Sequence, residues 1–227
     1  SSSSNGSAAN SDTITLGSVT TNSGTAAAYG EAEVAGFKLA VDEINAKGGL
    51  QIEFNAQDDE ADGEKAVSAY NVLKDWGMQL SLGSVTSKPA EATSVKNNED
   101  RIFALTPSAS STATIEGKDD VFQMCFMDPN QGSASATYIS EKKLGTKIAV
   151  IWKNDDVYST GIHDNFVTEG KAKGLEVVSD MTFTNSSAND FSVQLNDAKS
   201  KGAELVFLPI YYQPASLILK QAHDMGF

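Results

Sequence analysis

The chain has 227 residues, with 17 Lys and Arg against 30 Asp and Glu, a formal charge of −13, and 40% hydrophobic residues. That is the make-up of a soluble globular protein long enough for one or two domains, while its acidic balance and single arginine, Arg101, weigh against phosphate-backbone binding. One cysteine, Cys125, and two distant histidines, His163 and His223, leave no disulfide scaffold and no metal-ligand pattern, and no apolar run approaches the roughly 18 residues that span a bilayer.

Residues 1–12 open on Ser1, Ser2, Ser3 and Ser4, and hold no hydrophobic side chain larger than alanine before Asp12. Such a stretch cannot offset its ordering entropy, which predicts a flexible tether. It reads either as the linker behind the lipid-modified cysteine of an exported lipoprotein, with that cysteine cut away, or as a leftover of expression. With the acidic body and lone thiol, it points outside the cytoplasm, to a cell-surface lipoprotein or a periplasmic protein.

Residues 13–19 then read as a strand, and 31–47 as a helix. Val34, Phe37, Val41 and Ile44 line one face of that helix and Gly48-Gly49 end it. A strand over 51–55 precedes a helix over 62–76, with Ala66, Val67, Tyr70 and Leu73 inward. A strand follows over 79–83, Pro89 opens the next helix, and 101–105 forms another strand. Residues 121–127 are extended and apolar with no helix just before them, and Asp128-Pro129-Asn130-Gln131-Gly132 follows. This predicts a hinge crossover over 121–130, between a lobe of residues 13–120 and a lobe of residues 131–227. Beyond it come helix 131–143, strand 147–152, helix 159–173, strand 175–180, helix 190–200, strand 204–209 and helix 214–225. Repeated βα units imply an α/β fold of two Rossmann-like parallel-sheet lobes joined by a hinge. The second lobe stops directly after a helix, so it reads as incomplete and the chain as truncated at its C-terminus.

In such sheets ligands bind beyond the carboxyl ends of the strands. The loops there are rich in hydroxyls in the first half (residues 20–25, 84–87 and 106–111), and tyrosines recur in the second (Tyr158, Tyr211, Tyr212). The 84–89 loop runs straight into a helix N-terminus, which favours an anion such as a ligand carboxylate, with Ser87 as a further donor. The same position also serves as a plain helix cap, with Ser87 or Lys88 binding nothing. Tyr29, Tyr158 and Tyr211 offer ring faces to a ligand side chain, or pack half-buried without contact.

Catalytic and cofactor signals are missing. There is no Gly-x-Gly-x-x-Gly, no phosphate loop and no Gly-x-Ser-x-Gly elbow. His163 with Asp164 reads as a solvated helical face. In the acidic run from Asp58 to Gly63 the twelfth position, where a calcium loop needs glutamate, is Ala69, so the run reads as a complement to the helix that follows it. Cys125 reads as a small apolar residue near the crossover.

The ordered series resembles a known family. It comprises Ile14-Thr15-Leu16-Gly17 through Tyr29-Gly30, Ala40-Val41-Asp42-Glu43-Ile44-Asn45-Ala46-Lys47-Gly48-Gly49, Gly83-Ser84-Val85-Thr86-Ser87, Thr106-Pro107-Ser108-Ala109, Asp128 to Gly132, Asp156-Val157-Tyr158 and Leu219-Lys220-Gln221-Ala222. It is similar to the type I periplasmic binding proteins of ABC transporters, in their leucine/isoleucine/valine-binding subgroup, over nearly all of the chain beyond the tail. The resemblance implies a monomer that captures an apolar, branched-chain amino acid between two lobes and delivers it to a membrane permease. It implies no catalysis, no cofactor, no metal and no nucleic acid. By the same resemblance, Ser87 and Ser110 hold the ligand carboxylate by their hydroxyls, and Ser108 contributes mainly backbone, with Ala109 beside it. Asp128 orients or neutralises the α-ammonium. Tyr29 and Val85 shape the side-chain pocket from the first lobe, and Tyr158 and Tyr211 close over it from the second. Ser110 stands where the family often has threonine. Family members are longer, and their chain crosses back to complete the first lobe and supply a further acidic residue for the ammonium. The alternative is a ligand-sensing receptor domain of the same fold for another small carboxylate or amide.

Overall fold

The computed structural model describes residues 12–227, so the predicted tether, Asp12 apart, lies outside the described residues. Eight strands and seven α-helices alternate: β1 (Thr13–Thr20), α1 (Ala27–Ala46), β2 (Gln51–Asp58), α2 (Gly63–Trp76), β3 (Leu80–Gly83), α3 (Ser87–Asp100), β4 (Ala104–Thr106), β5 (Val121–Gln123), α4 (Asp128–Glu141), β6 (Lys147–Lys153), α5 (Val157–Ala172), β7 (Glu176–Phe183), α6 (Ser192–Ser200), β8 (Leu205–Phe207) and α7 (Tyr212–Asp224). They build a five-stranded sheet of order β2-β1-β3-β4-β5 and a three-stranded sheet of order β7-β6-β8. Every pairing is parallel. The strand order reverses beside β1 in the first sheet and beside β6 in the second, and a parallel sheet opens its ligand crevice at such a reversal.

The helical faces read from periodicity hold in part: Val34 and Val41 of α1 are buried but Ile44 is 42% exposed, and in α2 Ala69 rather than Val67 joins the buried face. Ala66, Ala69, Tyr70 and Leu73 of α2 bury against Val19 and Met78 under the first sheet. Tyr70 keeps its hydroxyl satisfied by donating to Asp100 at 2.9 Å. In the second lobe Ala136 and Ile139 of α4 and Phe166 of α5 cover Ile148 and Val150. The Phe166 and Phe207 rings stack at 3.9 Å.

Several boundaries differ from the sequence reading, each for a local reason. The Ala26-Ala27-Ala28 run favours helix strongly enough to start α1 at Ala27, which brings Tyr29 onto its first turn. Arg101 caps α3 in the left-handed region (φ 56) and so cannot open β4, which begins at Ala104. α3 itself opens at Ser87, with Pro89 in its first turn. The predicted crossover divides. Val121–Gln123 pairs with Ala104–Thr106 as the fifth strand of the first sheet, and α4 already starts at Asp128, with Pro129 in its first turn. His163 is not solvated: it is 8% exposed, stacks on Trp152 at 4.0 Å, and meets Asp180 of β7 at 3.0 Å. Asp62 caps α2 by accepting from the Glu64 N–H at 2.9 Å and the Lys65 N–H at 3.0 Å, as its place before the helix predicts.

Gly83 ends β3 at φ +105, where a Cβ would lie 2.3 Å from the Val19 carbonyl oxygen. Gly77 has a similar φ of +97 with nothing within 4 Å. Gly77→Ala should therefore cost about 1–2 kcal/mol for the left-handed backbone alone. Gly83→Ala should cost a further 1–3 kcal/mol, roughly, for the backbone clash. Urea unfolding of both variants measures the difference, and equal losses would show that the β1–β3 contact yields freely.

Candidate functional site

The loops leaving β3 and β4 are tied to one another by side chains. The Ser87 hydroxyl, 1% exposed at the start of α3, accepts from the Ser110 N–H at 3.3 Å and the Ser111 N–H at 3.2 Å. Thr106 donates to the Ser84 carbonyl at 2.7 Å and accepts from the Ala109 N–H at 3.0 Å. Gln123 of β5 donates to the carbonyls of Ala109 at 2.7 Å and Ser111 at 2.9 Å. The Asp128 N–H reaches the Ser110 carbonyl at 3.0 Å. The Ser108 hydroxyl meets the Val85 carbonyl at 2.7 Å and the Glu33 carboxyl of α1, and Ser111 donates to Glu91 of α3. Irregular backbone buried this deeply needs such partners, and short hydroxyl and amide side chains supply them. With both lone pairs of Ser87 engaged by N–H groups, its hydroxyl hydrogen remains for an acceptor.

The second sheet faces these loops with aromatic rings. Tyr158 stands in the first turn of α5 and Tyr211 caps α7, and their rings stack at 4.5 Å and 11°. Tyr29 of the first lobe meets Tyr211 at 6.1 Å and Tyr212 edge-on at 5.1 Å. Between the two walls lies a cavity of about 180 Å3. Of the residues named from the resemblance, Tyr29, Val85, Ser108, Ser110, Tyr158 and Tyr211 line it. Thr86, Phe126 and Gln131 complete it. Thr86 and Gln131 sit within motifs already singled out in the sequence, whereas Phe126 carries no pattern that marks it. Ser87, Ala109 and Asp128 are absent from the lining. They lie behind it, joined to it through the backbone of the 106–111 loop.

A second cavity of about 390 Å3 opens beyond Tyr211, walled by Phe183, Ile210 and Leu217, with Lys153 and Asp156 at its polar side. Tyr211 is the only predicted site residue on it. The smaller cavity is the better candidate despite its size, because the loops of both strand-order reversals and the α3 N-terminus converge there.

The electrostatics of the smaller cavity are unbalanced. Asp128 is 1% exposed, and neither carboxylate oxygen has a hydrogen-bond partner among the described residues. Burial pushes it up to about 6, with the neighbouring Ser110 hydroxyl offsetting part of that rise. Burial also raises Tyr158, to about 12, and Tyr211 well above the ordinary phenol value. Neither lysine nor arginine lines the cavity.

Residues 13–227 match the periplasmic binding protein family, and the chain belongs to it. It is 30% identical over 218 residues to a Leu/Ile/Val-binding protein of Rhizobium johnstonii, covering 94% of this chain and 59% of that protein. Its fold matches the branched-chain amino acid transporter substrate binding protein of Streptococcus pneumoniae, solved in complex with isoleucine, with a TM-score of 0.87 and 33% identity over 94% of this chain and 62% of that one. A solute binding protein of an ABC transporter from R. palustris, solved with benzoate, shares the fold at a TM-score of 0.85 and 24% identity, over 94% of this chain and 60% of that one. The chain thus spans about three-fifths of the length of these relatives. The family is one of extracytoplasmic substrate-binding proteins of ABC transporters. No helix among the described residues is long and apolar enough to cross a membrane.

The raised Asp128 makes stability depend on pH with a definite sign. Its folded value of about 6 lies above the ordinary 3.8, so the stabilisation is full below the unfolded value and is lost as pH rises through the folded one. Asp59, fully buried and also pushed up to about 6, shares the same window. Asp128→Asn should therefore reduce the loss of stability between about pH 4 and pH 6, by roughly 3 kcal/mol at most. Chemical denaturation across that range measures it, and an unchanged pH slope would mean that Asp128 is solvated.

Proposed function

We propose that this protein captures a free amino acid with an apolar, branched-chain side chain in the cleft between its two sheets and hands it to an ABC permease in the membrane. The observation that carries the reading is the polarity of the small cavity. One wall presents the Ser110 hydroxyl, backed by Ser87 and the α3 N-terminus. Beside it stands Asp128, buried without a counter-charge. A zwitterion answers both: its carboxylate takes the hydroxyl and N–H donors, and its ammonium compensates Asp128. Val85, Phe126 and the tyrosine rings leave an apolar surround for the side chain. A volume of about 180 Å3 is well below the roughly 300–1,000 Å3 of drug-sized pockets, which fits a molecule the size of one amino acid. The sequence relationship to Leu/Ile/Val-binding proteins supports the same class.

Residues 13–123 and the chain from Asp128 onward act as two lobes, with 124–127 as a hinge between them. An open state exposes the hydroxyl wall, and the tyrosine wall adds contacts only on closure, so the ligand shifts the population toward the closed state. The working protein is a monomer held outside the cytoplasm, as a cell-surface lipoprotein or in the periplasm. A sensing domain for a simple carboxylate fits less well, because such a ligand leaves Asp128 buried and unpaired.

Calorimetry with isoleucine and with its analogue lacking the amine tests the reading. Isoleucine should bind, and the analogue should bind about 10–100-fold more weakly, the range of a hydrogen bond to a charged group. Ser87→Ala should weaken leucine, isoleucine and valine by a similar factor, roughly tenfold. Equal affinity for the two compounds would overturn the zwitterion reading, and unchanged affinity in Ser87→Ala would remove Ser87 from the site.

A further inference from the structure

We infer that Glu33 holds a proton in the folded protein and, as the donor to Ser108, positions the loop that forms the hydroxyl wall of the candidate site. Glu33 lies one helical turn beyond Tyr29 on α1, and nothing in the motif pattern marked it. The argument begins with a count of hydrogens. The Ser108 oxygen contacts two acceptors, the Val85 carbonyl at 2.7 Å and the Glu33 carboxyl. A hydroxyl carries one hydrogen, and a carbonyl has none to give. Both contacts are hydrogen bonds only if Glu33 supplies the second hydrogen: Glu33 donates to Ser108, and Ser108 donates to Val85.

An independent observation points the same way. The other carboxyl oxygen of Glu33 is buried and has no hydrogen-bond partner among the described residues. Glu33 forms no ion pair with any lysine or arginine there either. A carboxylate in that place would sit desolvated beside a carbonyl that competes for one hydrogen. The groups that face it are the Ser108 hydroxyl from the β4 loop, through it the Val85 carbonyl from the β3 loop, and the Cys125 thiol from the β5–α4 connection, with Asp128 beyond. None offers positive charge. Burial raises the carboxyl above its ordinary range in the same sense, Ser108 opposing.

Two consequences follow for the site. The chain Glu33–Ser108–Val85 joins α1 to both loops that form the polar wall, so these are held in one geometry before a ligand arrives. A neutral Glu33 also keeps a second negative charge away from the place where the ligand carboxylate docks. Ionisation of Glu33 should then weaken isoleucine binding relative to a variant that stays neutral there, because an ionised Glu33 loses the donor and repels the carboxylate.

The experiment has two arms, and only the affinity arm rests on the amino-acid reading. In 13C NMR of protein labelled at glutamate carboxyls, one resonance should titrate above the ordinary glutamate value of about 4.3 and be missing from Glu33→Gln. Calorimetry with isoleucine from about pH 5 to pH 9 should show wild-type affinity falling relative to Glu33→Gln as pH rises, since Asp128 titrates in both proteins. Glu33→Gln, whose amide still donates to Ser108, should match the wild type at low pH to within about twofold and bind more tightly than it at high pH. Glu33→Ala should be weaker at every pH by roughly three- to tenfold. A Glu33 resonance titrating in the ordinary range overturns the inference, and so does Glu33→Gln behaving like Glu33→Ala. If the folded wild type binds no isoleucine at all, the transport reading fails while the NMR arm still decides the proton.

Discussion

Two backbone N–H groups, those of Ser110 and Ser111, end on the hydroxyl of Ser87, and the candidate site depends on that junction. Parallel strands deliver their carboxyl ends to one side of a sheet, but the loops that leave them have no ladder to satisfy their polar groups. Here the 106–111 loop turns back over the start of α3 and is buried, so each of its donors and acceptors needs a side-chain partner. Ser87, Thr106 and Gln123 provide them. The result is a wall whose hydroxyls are fixed before a ligand arrives, so that little ordering entropy remains to be lost on binding. It also explains why residues assigned to ligand contact can lie behind the lining: Ser87 shapes the wall as much as it faces the cavity.

The second sheet contributes in a different way. Its site residues are tyrosines whose rings stack on one another, and the first lobe touches them chiefly through Tyr29. Ring contacts carry apolar area with weak angular demands, so they can form and break as the two sheets approach or part. Directional hydrogen bonds on one side and adaptable rings on the other divide the labour. One wall defines the ligand's polar end, and the other rewards closure over whatever side chain follows it.

Much of this was legible in the sequence, because the signals were periodic or local. Most of the inward face of α2, the βα alternation and the hydroxyl loops at strand ends follow from spacing and from where parallel sheets bind ligands. What escaped had no local signal. Val121–Gln123 is too short to show a period, and only pairing with β4 makes it a strand of the first sheet rather than crossover. His163 sits among polar neighbours on a helix, and its burial is decided by Trp152 and by Asp180, 17 residues away on another strand. Ser87 and Asp128 were expected at the cavity, but neither lines it, since side-chain direction at a helix start depends on the loop that packs over it. Glu33 was illegible, because its partner Ser108 stands 75 residues further along the chain.

Three acids from three helices back the same loop: Glu33 of α1 meets Ser108, Glu91 of α3 meets Ser111, and Asp128 of α4 lies beside Ser110. Carboxylates behind a surface meant for a ligand carboxylate look self-defeating, and the physical resolution is that the three do not share one role. Glu91 is half-buried and simply accepts the Ser111 hydroxyl hydrogen. Glu33 completes its contacts only as a donor, and a donor is neutral. Of the three, Asp128 alone is buried with neither oxygen partnered among the described residues, so on the proposed reading its charge is the one that a ligand answers. On that reading selection acts on the whole zwitterion. An anion lacking an amine finds the donors but leaves Asp128 uncompensated, and an amine lacking a carboxylate leaves the hydroxyl wall unpaired. In a buried site each omission costs more than the matching contact returns in water, because unpaired polar groups there cannot fall back on solvent.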